Sequence, residues 1–432
     1  MKQLYFTVKN SLWFIPGLYS LLGLFVALIS IYFDIYVLKG TSHLVPDLFL
    51  TKVDLAITIL ATLASALLTM TTFTFSIIMV VLTTYSSQFS PRALPNFMTE
   101  RTTMRMLGVF LGGFIYSISS LLFMRRSIEQ ELVISAVVGV FLTIICLLFF
   151  IHFIHYIGRS IQVDYLIERL TKDSYQTSER LTEQMKNLQL TITRQFEPVY
   201  QFQKSFYCKE SHYLSRVDVT NLRKLALEQG IFIEFHHKIG EFMTTHQKVF
   251  TVYKKDEELS EELVNETADF ITLSQNRSTN QDVSFSIQKL VEIALRATSP
   301  AINDPFTAKH SIRNIGNVLG EFAPLLEGDL LFQDEEEYTL LLPFETMRNL
   351  LYFSFNEFKL NSREDLSVLG AILDALITTA RKSSTENKEI IWSYFDYLTY
   401  NFRQHTALHE LDEEFLLIKK KMLFEATRSV RL

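Results

Sequence analysis

One uncharged stretch constrains the fold of this chain more than any other feature of its sequence. Residues 55–91 form a run of 37 positions without Asp, Glu, Lys, Arg or His. As a single helix this run would be roughly 55 Å long, whereas the hydrocarbon core of a bilayer is about 30 Å thick. We therefore expect its first part to cross a membrane and its polar end, residues 83–88, to leave the membrane before Pro91.

Hydroxyl side chains recur along this run at helical spacing. They follow one another at steps of three, four or seven residues: Thr58, Thr62, Ser65, Thr69, Thr72, Ser76 and Thr83. On a helix they form one line with a period of about 3.5 residues, which we call the hydroxyl stripe. The stripe either packs against other helices in lipid or lines a water-filled path, narrowed where Met70, Phe73 or Met79 intrudes. The two interpretations are compatible in a homo-oligomer.

Four apolar runs are long enough to cross a bilayer, which takes about 20 helical residues. They cover residues 13–36, 55–84, 104–123 and 132–156. The third run contains Gly108 and Gly112 at the spacing of closely packed membrane helices, with Gly113 beside them. Asp34, at the far end of the first run, is expected at the membrane interface.

The distribution of charge predicts a membrane part joined to an acidic soluble part. Residues 1–160 hold 10 Lys and Arg against 6 Asp and Glu, and the remainder holds 31 against 41. Lys and Arg near the ends of the runs favour a cytoplasmic location for both termini. The acidic part has no basic cluster suited to nucleic acid. Two cysteines, Cys146 and Cys208, are too few for a disulfide framework or a thiolate zinc site.

Composition and periodicity predict four parts. These are a four-helix transmembrane domain at 1–158, a helical connector at 159–200, a small β-rich unit at 201–260 and a mainly helical domain at 261–432. The β-rich unit is indicated by alternation that places Ile231, Ile233 and Phe235 on one face. The predicted fold class is an α-helical membrane protein with four transmembrane helices and an α+β cytoplasmic domain, which combines a small β unit with a helical bundle.

The segment around residue 300 predicts two helices joined by a tight turn. The first helix ends at Ser299 and Pro300, and Asn303, Asp304 and Pro305 open the second. Capping by Asp304 or Asn303, with Pro305 in the first helical position, explains these residue types. The alternative is that the exposed turn contacts a ligand or another subunit.

His152 and His155 lie three residues apart near the end of the fourth apolar run. This spacing suits a shared metal, but no Cys, Asp or Glu in that run completes a site. The remaining interpretations are contacts at the membrane interface, or a proton-sensing switch based on imidazole titration near neutral pH.

Three motifs in order resemble one known family. RATSPAINDPFTA at 296–308 closely resembles a signature of the bacterial membrane proteins of domain-of-unknown-function family 2254. SSQFSPRALPNFM at 86–98 and FIHYIGRSIQV at 153–163 are similar to two further segments of that family. Ala301 and Thr298 stand where glycine and leucine are common. The resemblance implies a bacterial inner-membrane protein with a cytoplasmic domain and no agreed activity.

Catalytic motifs are scarce. The sequence has no Walker loop, dinucleotide-binding glycine pattern, HExxH, nucleophile elbow or kinase signature. His236 and His237 are placed on a predicted strand whose alternation points their side chains to opposite faces, and Arg277 with Asp282 is a weak candidate pair. We therefore expect neither an enzyme nor a bound cofactor.

The leading hypothesis is a homo-oligomeric channel or transporter-like pore, lined by the second membrane helix and regulated by the cytoplasmic domain. A small ion would be its permeant partner, and the bilayer and further copies of the chain its structural partners. The alternative is a non-conducting scaffold or sensor whose cytoplasmic domain binds a partner. An enzyme would instead require a polar pocket that brings His236, Arg277 and Asp282 together.

Overall fold

The chain divides into two compact units, Met1–Gln162 and Val163–Leu432. A computed structural model describes residues 14–38, 45–84, 87, 101–124, 132–187, 190–193, 196, 200–279, 281–334, 337–362 and 364–428.

Four long apolar helices form the first unit. They are α1 Phe14–Tyr32, continued by a π-helical turn at Phe33–Val37, α2 Val53–Thr84, α3 Arg101–Phe123 and α4 Ser135–Ser160. Each is long and apolar enough to cross a membrane, which confirms the four predicted spans. Two short strands, β1 Thr51–Lys52 and β2 Leu132–Val133, pair antiparallel just before α2 and α4.

Glycines bring α1 and α3 into close contact. A Cβ atom added to Gly23 would lie 2.2 Å from the carbonyl oxygen of Gly112, and one added to Gly112 would lie 2.7 Å from the carbonyl oxygen of Tyr19. Gly108 faces the side chain of the same tyrosine, at 2.9 Å from its added Cβ. The predicted close-packing role of Gly108 and Gly112 is therefore confirmed, because a larger side chain would push the helices apart.

Helix α2 packs against α3 and α4 with one face. The side chains buried on that face recur every three or four residues: Ala56, Leu60, Ala64, Leu67, Thr71, Thr74, Ile78 and Val81. Gly139 of α4 lets Leu60 approach closely, since an added Cβ would lie 2.9 Å from a methyl carbon of that leucine. This line, which is apolar except for Thr71 and Thr74, is the seam by which α2 joins the four-helix unit.

The second unit combines nine described helices with nine strands. The helices are α5 Val163–Asn187, α6 Val219–Gln229, α7 Glu261–Ala268, α8 Val283–Ala297, α9 Pro305–Phe322, α10 Met347–Asn361, α11 Leu366–Ala380, α12 Thr385–His405 and α13 Glu410–Thr427. The strands are β3 Leu190–Thr193, β4 Phe202–Tyr207, β5 His212–Val217, β6 Ile231–Phe235, β7 Phe242–Met243, β8 Lys248–Lys254, β9 Ile271–Ser274, β10 Asp329–Asp334 and β11 Glu337–Leu342.

The strands of the second unit form two sheets. Six strands pair in the order β3-β10-β11-β6-β8-β4, and three pair in the order β7-β5-β9. All pairs are antiparallel except β11 with β6, where Leu340 lies opposite Ile233. The sheets bury a continuous apolar core that includes Leu214, Phe235 and Phe250, and α6 packs against β6 and β11.

Helices α5, α8, α9 and α11 pack around one another through small and hydroxylated side chains. An added Cβ at Gly316 of α9 would lie 2.5 Å from the Cα of Ala375 in α11, so only glycine permits this approach. The hydroxyl of Thr379 donates to the carbonyl of Gly316 at 3.2 Å, and that of Ser311 donates to the carbonyl of Leu290 at 2.8 Å. These bonds join neighbouring helices inside an otherwise apolar interior.

The fold class predicted from the sequence is confirmed, but the β structure extends beyond residues 201–260. Strands β3, β9, β10 and β11 lie outside that interval and belong to the same two sheets. The sequence predicted a mainly helical domain at 261–432, whereas Asp329–Asp334 and Glu337–Leu342 pair antiparallel as the β10–β11 hairpin. Residues 190–193 and 231–235, distant in sequence, supply the neighbours on either side of this hairpin. The helical connector contributes α5, which packs within the second unit.

Candidate functional site

The hydroxyl stripe lies on the face of α2 that the other described residues leave uncovered. All seven predicted residues are exposed: Thr58, Thr62, Ser65, Thr69, Thr72, Ser76 and Thr83. At about 100° of rotation per residue, the stripe is centred about 180° from the apolar seam that packs on α3 and α4. Packing against α3 and α4 therefore does not explain the stripe.

The stripe hydroxyls hydrogen-bond along their own helix. Thr62 donates to the carbonyl of Thr58 at 2.8 Å, Thr69 to that of Ser65 at 2.9 Å, and Ser76 to that of Thr72 at 3.1 Å. This bonding satisfies the hydroxyl proton and leaves the oxygen lone pairs directed outward as acceptors. Such a surface can meet lipid, a second helix, or water with a cation.

Two of the three bulky side chains considered as constrictions lie on the exposed side of α2. Phe73 is 52% exposed and Met79 is 61% exposed. Met70 is only half-buried, and it packs with Leu67 and Phe110 inside the unit. Phe73 and Met79 therefore remain candidates for narrowing a path beside the stripe, whereas Met70 lies inside the unit and does not.

A polar network that sequence reasoning missed lies inside the membrane unit. Asp34, expected at the membrane interface, is 3% exposed and packs inside the four-helix unit. Its carboxylate accepts hydrogen bonds from the backbone N–H groups of Ile134 at 2.7 Å and Ser135 at 3.3 Å, and from the Ser135 hydroxyl. Tyr116 donates to the carbonyl of Ser135 at 2.8 Å. Asp34 thus caps the start of α4 from the end of α1.

The turn between α8 and α9 has the predicted capping geometry. Asp304 is the N-cap of α9, where its carboxylate accepts from the N–H of Thr307 at 3.1 Å and from its hydroxyl at 2.6 Å. These bonds hold the pKa of Asp304 below its ordinary value. Pro305 occupies the first turn, and Asn303 takes a left-handed conformation with φ of 48°, which asparagine tolerates.

The remaining residues of this turn are tied to the backbone. The Ser299 hydroxyl donates to the carbonyl of Arg296 at 2.6 Å, and Pro300 is exposed. Beyond the cap, Ile302 is 40% exposed and Phe306 is 77% exposed. The side-chain polar groups of Ser299 and Asp304 therefore hydrogen-bond within the turn, and Ile302 and Phe306 expose apolar surface beside it.

His152 and His155 are both exposed on α4. Among the residues that the structure describes, no group of three His, Cys, Asp or Glu side chains could hold a metal ion. A role as an interfacial switch remains a prediction.

The three residues that an enzyme hypothesis required are divided between two environments. Arg277 and Asp282 form a tight ion pair, with an Nε–Oδ2 distance of 2.7 Å. His236 instead contacts the Thr251 hydroxyl on strand β8 at 2.7 Å, and burial lowers its pKa. His237 lies beside the Glu241 carboxylate at 3.0 Å.

The segment SSQFSPRALPNFM at 86–98 lies outside the described residues, apart from Ser87. The other two motifs are well placed. FIHYIGRSIQV covers the end of α4 and the start of α5, and RATSPAINDPFTA covers the turn between α8 and α9.

Comparison with known proteins gives a family and two similar relatives. The family described as "Predicted membrane protein (DUF2254)" matches residues 9–378. The uncharacterized proteins Rv1290c of Mycobacterium tuberculosis and Mb1321c of Mycobacterium bovis are each 24% identical over 346 residues, which cover 77% of this chain and 65% of the relative. The chain thus spans about two thirds of the length of these curated relatives. No solved structure matches it.

Proposed function

Because the chain belongs to the DUF2254 family of predicted membrane proteins, we propose that it is a homo-oligomeric pore in the bacterial inner membrane. In this proposal the α2 helices of several copies face a shared axis, and their hydroxyl stripes line a path for a small ion. Both termini and the unit Val163–Leu432 are in the cytoplasm, where that unit regulates the path.

The observation that carries the proposal is the exposure of the whole hydroxyl stripe on the face opposite the α2 seam. Seven hydroxyls at a coiled-coil period suit either a water-filled path or a contact between identical helices. Their outward lone pairs can replace part of the hydration shell of a cation. The spans contain few charges, so the proposed path conducts without a relay of ionisable groups.

Accessibility to a water-soluble thiol reagent tests whether the stripe faces water. Thr69→Cys and Ser76→Cys in membrane vesicles should react with a charged methanethiosulfonate, because the reactive thiolate forms only in an aqueous environment. Val140→Cys, on an exposed position of α4, should stay unmodified in lipid. The native Cys146 and Cys208 are buried and supply little background.

Intact-mass measurement would count the modified thiols. As a positive control, Glu425→Cys on an exposed position of α13 should react fully once the reagent reaches both sides of the membrane. If that control reacts while neither stripe variant does, the stripe does not face water and the pore is refuted.

Ion flux in liposomes tests conduction directly. Thr69→Leu and Ser76→Leu should each reduce flux at least about tenfold, since they replace an acceptor oxygen by a bulky apolar group in the path. Val140→Leu adds a similar bulk on α4 and should leave flux unchanged. A measurable wild-type flux that both stripe variants preserve would rule out the stripe as the path.

A non-conducting scaffold is the second candidate, favoured by the outward apolar side chains at the α8–α9 turn. Ile302 and Phe306 flank the Asn303 and Asp304 backbone and are 40% and 77% exposed, with the Lys309 ammonium 4.4 Å from the centre of the Phe306 ring. This function predicts no flux, and it predicts loss of a co-purifying partner in Phe306→Ser. Lys309→Ser, one turn further along α9, is the matched control, because it removes the cation over that ring but keeps the ring.

A further inference from the structure

A large cleft lies within the unit Val163–Leu432, where the loop tips of the β structure meet α10 and α12. Its volume is about 1010 Å³, at the upper end of the range for pockets that hold small organic ligands. We call it the aromatic cleft, and the side chains that matter for its chemistry are Lys238, Arg277, Glu345, Arg348, Tyr352 and Tyr397.

Aromatic rings form two walls of the cleft. Tyr352 and Phe353 of α10 are 53% and 39% exposed, which is unusual for side chains of this size in a soluble unit. Across the cleft, Tyr394 and Tyr397 of α12 lie with their ring centroids 5.7 Å apart. Tyr352 is the most exposed of these rings and can stack on a flat ligand, whereas Tyr394 is half-buried and Tyr397 has the Lys359 ammonium 4.8 Å from its ring centre.

The carboxylates that line the cleft are already engaged. Glu345 pairs with the Lys238 ammonium at 3.0 Å. Glu241 accepts from the backbone N–H of Lys238 at 3.1 Å and lies 3.0 Å from the Nδ1 of His237. A cationic ligand would therefore have to displace an existing partner.

Arg277 is also largely engaged by the protein, since four of its five N–H groups donate hydrogen bonds to neighbouring side chains. It donates two hydrogen bonds to Asp282, one to Ser284 at 2.8 Å and one to Gln288 at 3.0 Å. Its guanidinium carbon lies 4.9 Å from the centre of the Phe285 ring. Arg277 therefore shapes the floor of the cleft and has little capacity left for a ligand.

Arg348 differs from these groups. It is exposed, and no carboxylate of the described chain lies within ion-pair distance of it. It lies four residues before Tyr352 on α10, so the guanidinium and that ring share one face of the helix. Asn349 and Ser393, also in the lining, add neutral hydrogen-bonding groups nearby.

We propose that the aromatic cleft binds a small organic anion in which a carboxylate or phosphate is joined to a flat ring. The Arg348 guanidinium takes the oxyanion, for which its planar fork is well suited, and Tyr352 stacks on the ring. This inference is independent of the proposed pore, because binding is measured on protein in detergent and needs no conduction.

Equilibrium dialysis of the full chain in detergent tests the proposal with two pairs of probes. AMP is compared with adenosine, and indole-3-acetate with indole-3-acetamide, so that each anion has a neutral counterpart with the same ring. At least one anion should bind about tenfold more tightly than its counterpart, as expected when one charge-assisted contact is added. If only AMP binds more tightly than its neutral counterpart, the ligand of the cleft carries a phosphate. If only indole-3-acetate does so, the ligand carries a carboxylate.

Variants then locate the binding. Arg348→Gln should remove the tenfold preference for the anion, whereas Arg381→Gln, an exposed arginine away from the cleft, should keep it. Tyr352→Leu should weaken the anion and its neutral counterpart alike by about fivefold, a value typical of lost stacking. Tyr400 is exposed on α12 but does not line the cleft, so Tyr400→Leu should leave the binding of both probes unchanged.

The proposal is overturned if neither anion binds more tightly than its neutral counterpart up to millimolar concentration. It is equally overturned if the preference survives Arg348→Gln, or if Tyr352→Leu binds as the wild type does. The substituted side chains are exposed, so the variants should fold, and size-exclusion profiles would verify this.

Discussion

Replacement of Asp282 by alanine should destabilise the second unit more than a typical single substitution. Asp282 is 1% exposed, and its carboxylate accepts from Arg277 Nε at 2.7 Å and Nη2 at 2.8 Å. It also accepts from the Ser284 hydroxyl at 3.0 Å and from the N–H of Phe285 at 2.9 Å, which makes it the N-cap of α8. One carboxylate thus holds the loop before α8 and begins that helix.

The magnitude follows from what the substitution leaves behind. Arg277 is only 19% exposed at its side chain and would lose its counter-ion. Removing one partner of a buried pair costs about 3–5 kcal/mol, and loss of an N-cap costs about 1 kcal/mol. Since part of the cap and pair energies overlap, we expect a loss of about 4 kcal/mol. For a unit of this size that lowers Tm by about 8–16 °C.

Trp392 provides the assay. It is one of two tryptophans in the chain, and its Nε1–H donates to the Thr427 hydroxyl at 3.0 Å within the second unit. Its fluorescence during heating of the full chain in detergent reports unfolding of that unit. Asp269→Ala is the control, because this carboxylate is exposed at the end of α7 and its loss should change stability by less than about 0.5 kcal/mol.

A double-mutant cycle separates the ion pair from the cap. Arg277→Met alone should also destabilise, since it leaves the buried carboxylate without its cation. The double variant should unfold at a higher temperature than Asp282→Ala, because no uncompensated charge remains. A Tm within 2 °C of the wild type for Asp282→Ala, or strictly additive single effects, would refute this reasoning.

Two further predictions concern other buried charges. Burial lowers the pKa of Lys289 to about 8 from an ordinary 10.5. Between these two pH values the unfolded chain therefore binds a proton that the folded chain does not. The free energy of unfolding of the wild type, relative to that of Lys289→Met, should rise from pH 8 to 10 by up to about 1.4 kcal/mol per pH unit. A pH-independent difference in chemical unfolding between the two proteins would contradict it. In the membrane unit, Asp34→Ala leaves two buried N–H groups at the start of α4 without their acceptor, and we expect a loss of about 2–4 kcal/mol, visible as lower thermal stability in detergent. Glu425→Ala, exposed on α13, should leave that stability unchanged.

The elements that depend on near neighbours in the chain could be predicted from the sequence. The four membrane helices follow from long apolar runs with few charges. The cap by Asp304 and the position of Pro305 follow from the stereochemistry of helix starts, and the close-packing face of α3 from the spacing of Gly108 and Gly112. Each of these depends on interactions within a few residues or on the solvent properties of lipid, which are the same in any fold.

The elements that depend on distant partners were decided by the tertiary structure. The short apolar runs at 330–332 and 340–342 suit a buried helix or a strand equally well, and only their pairing with each other and with 190–193 and 231–235 makes them strands. Asp34 is buried because α4 begins beside it, 100 residues further along the chain. The aromatic cleft likewise needs loops and helices from four separate segments.

The hydroxyl stripe illustrates both sides of this division. Its period and its place on one helix are properties of the sequence alone, because side-chain direction repeats with the helical turn. Whether it packs inside the chain or faces outward depends on which side of α2 meets α3 and α4. In the structure the seam that contains Leu60 and Leu67 faces α3 and α4, and the stripe hydroxyls are exposed. The sequence of α2 cannot decide this alone, because the contacts that bury one face come from helices distant in the chain.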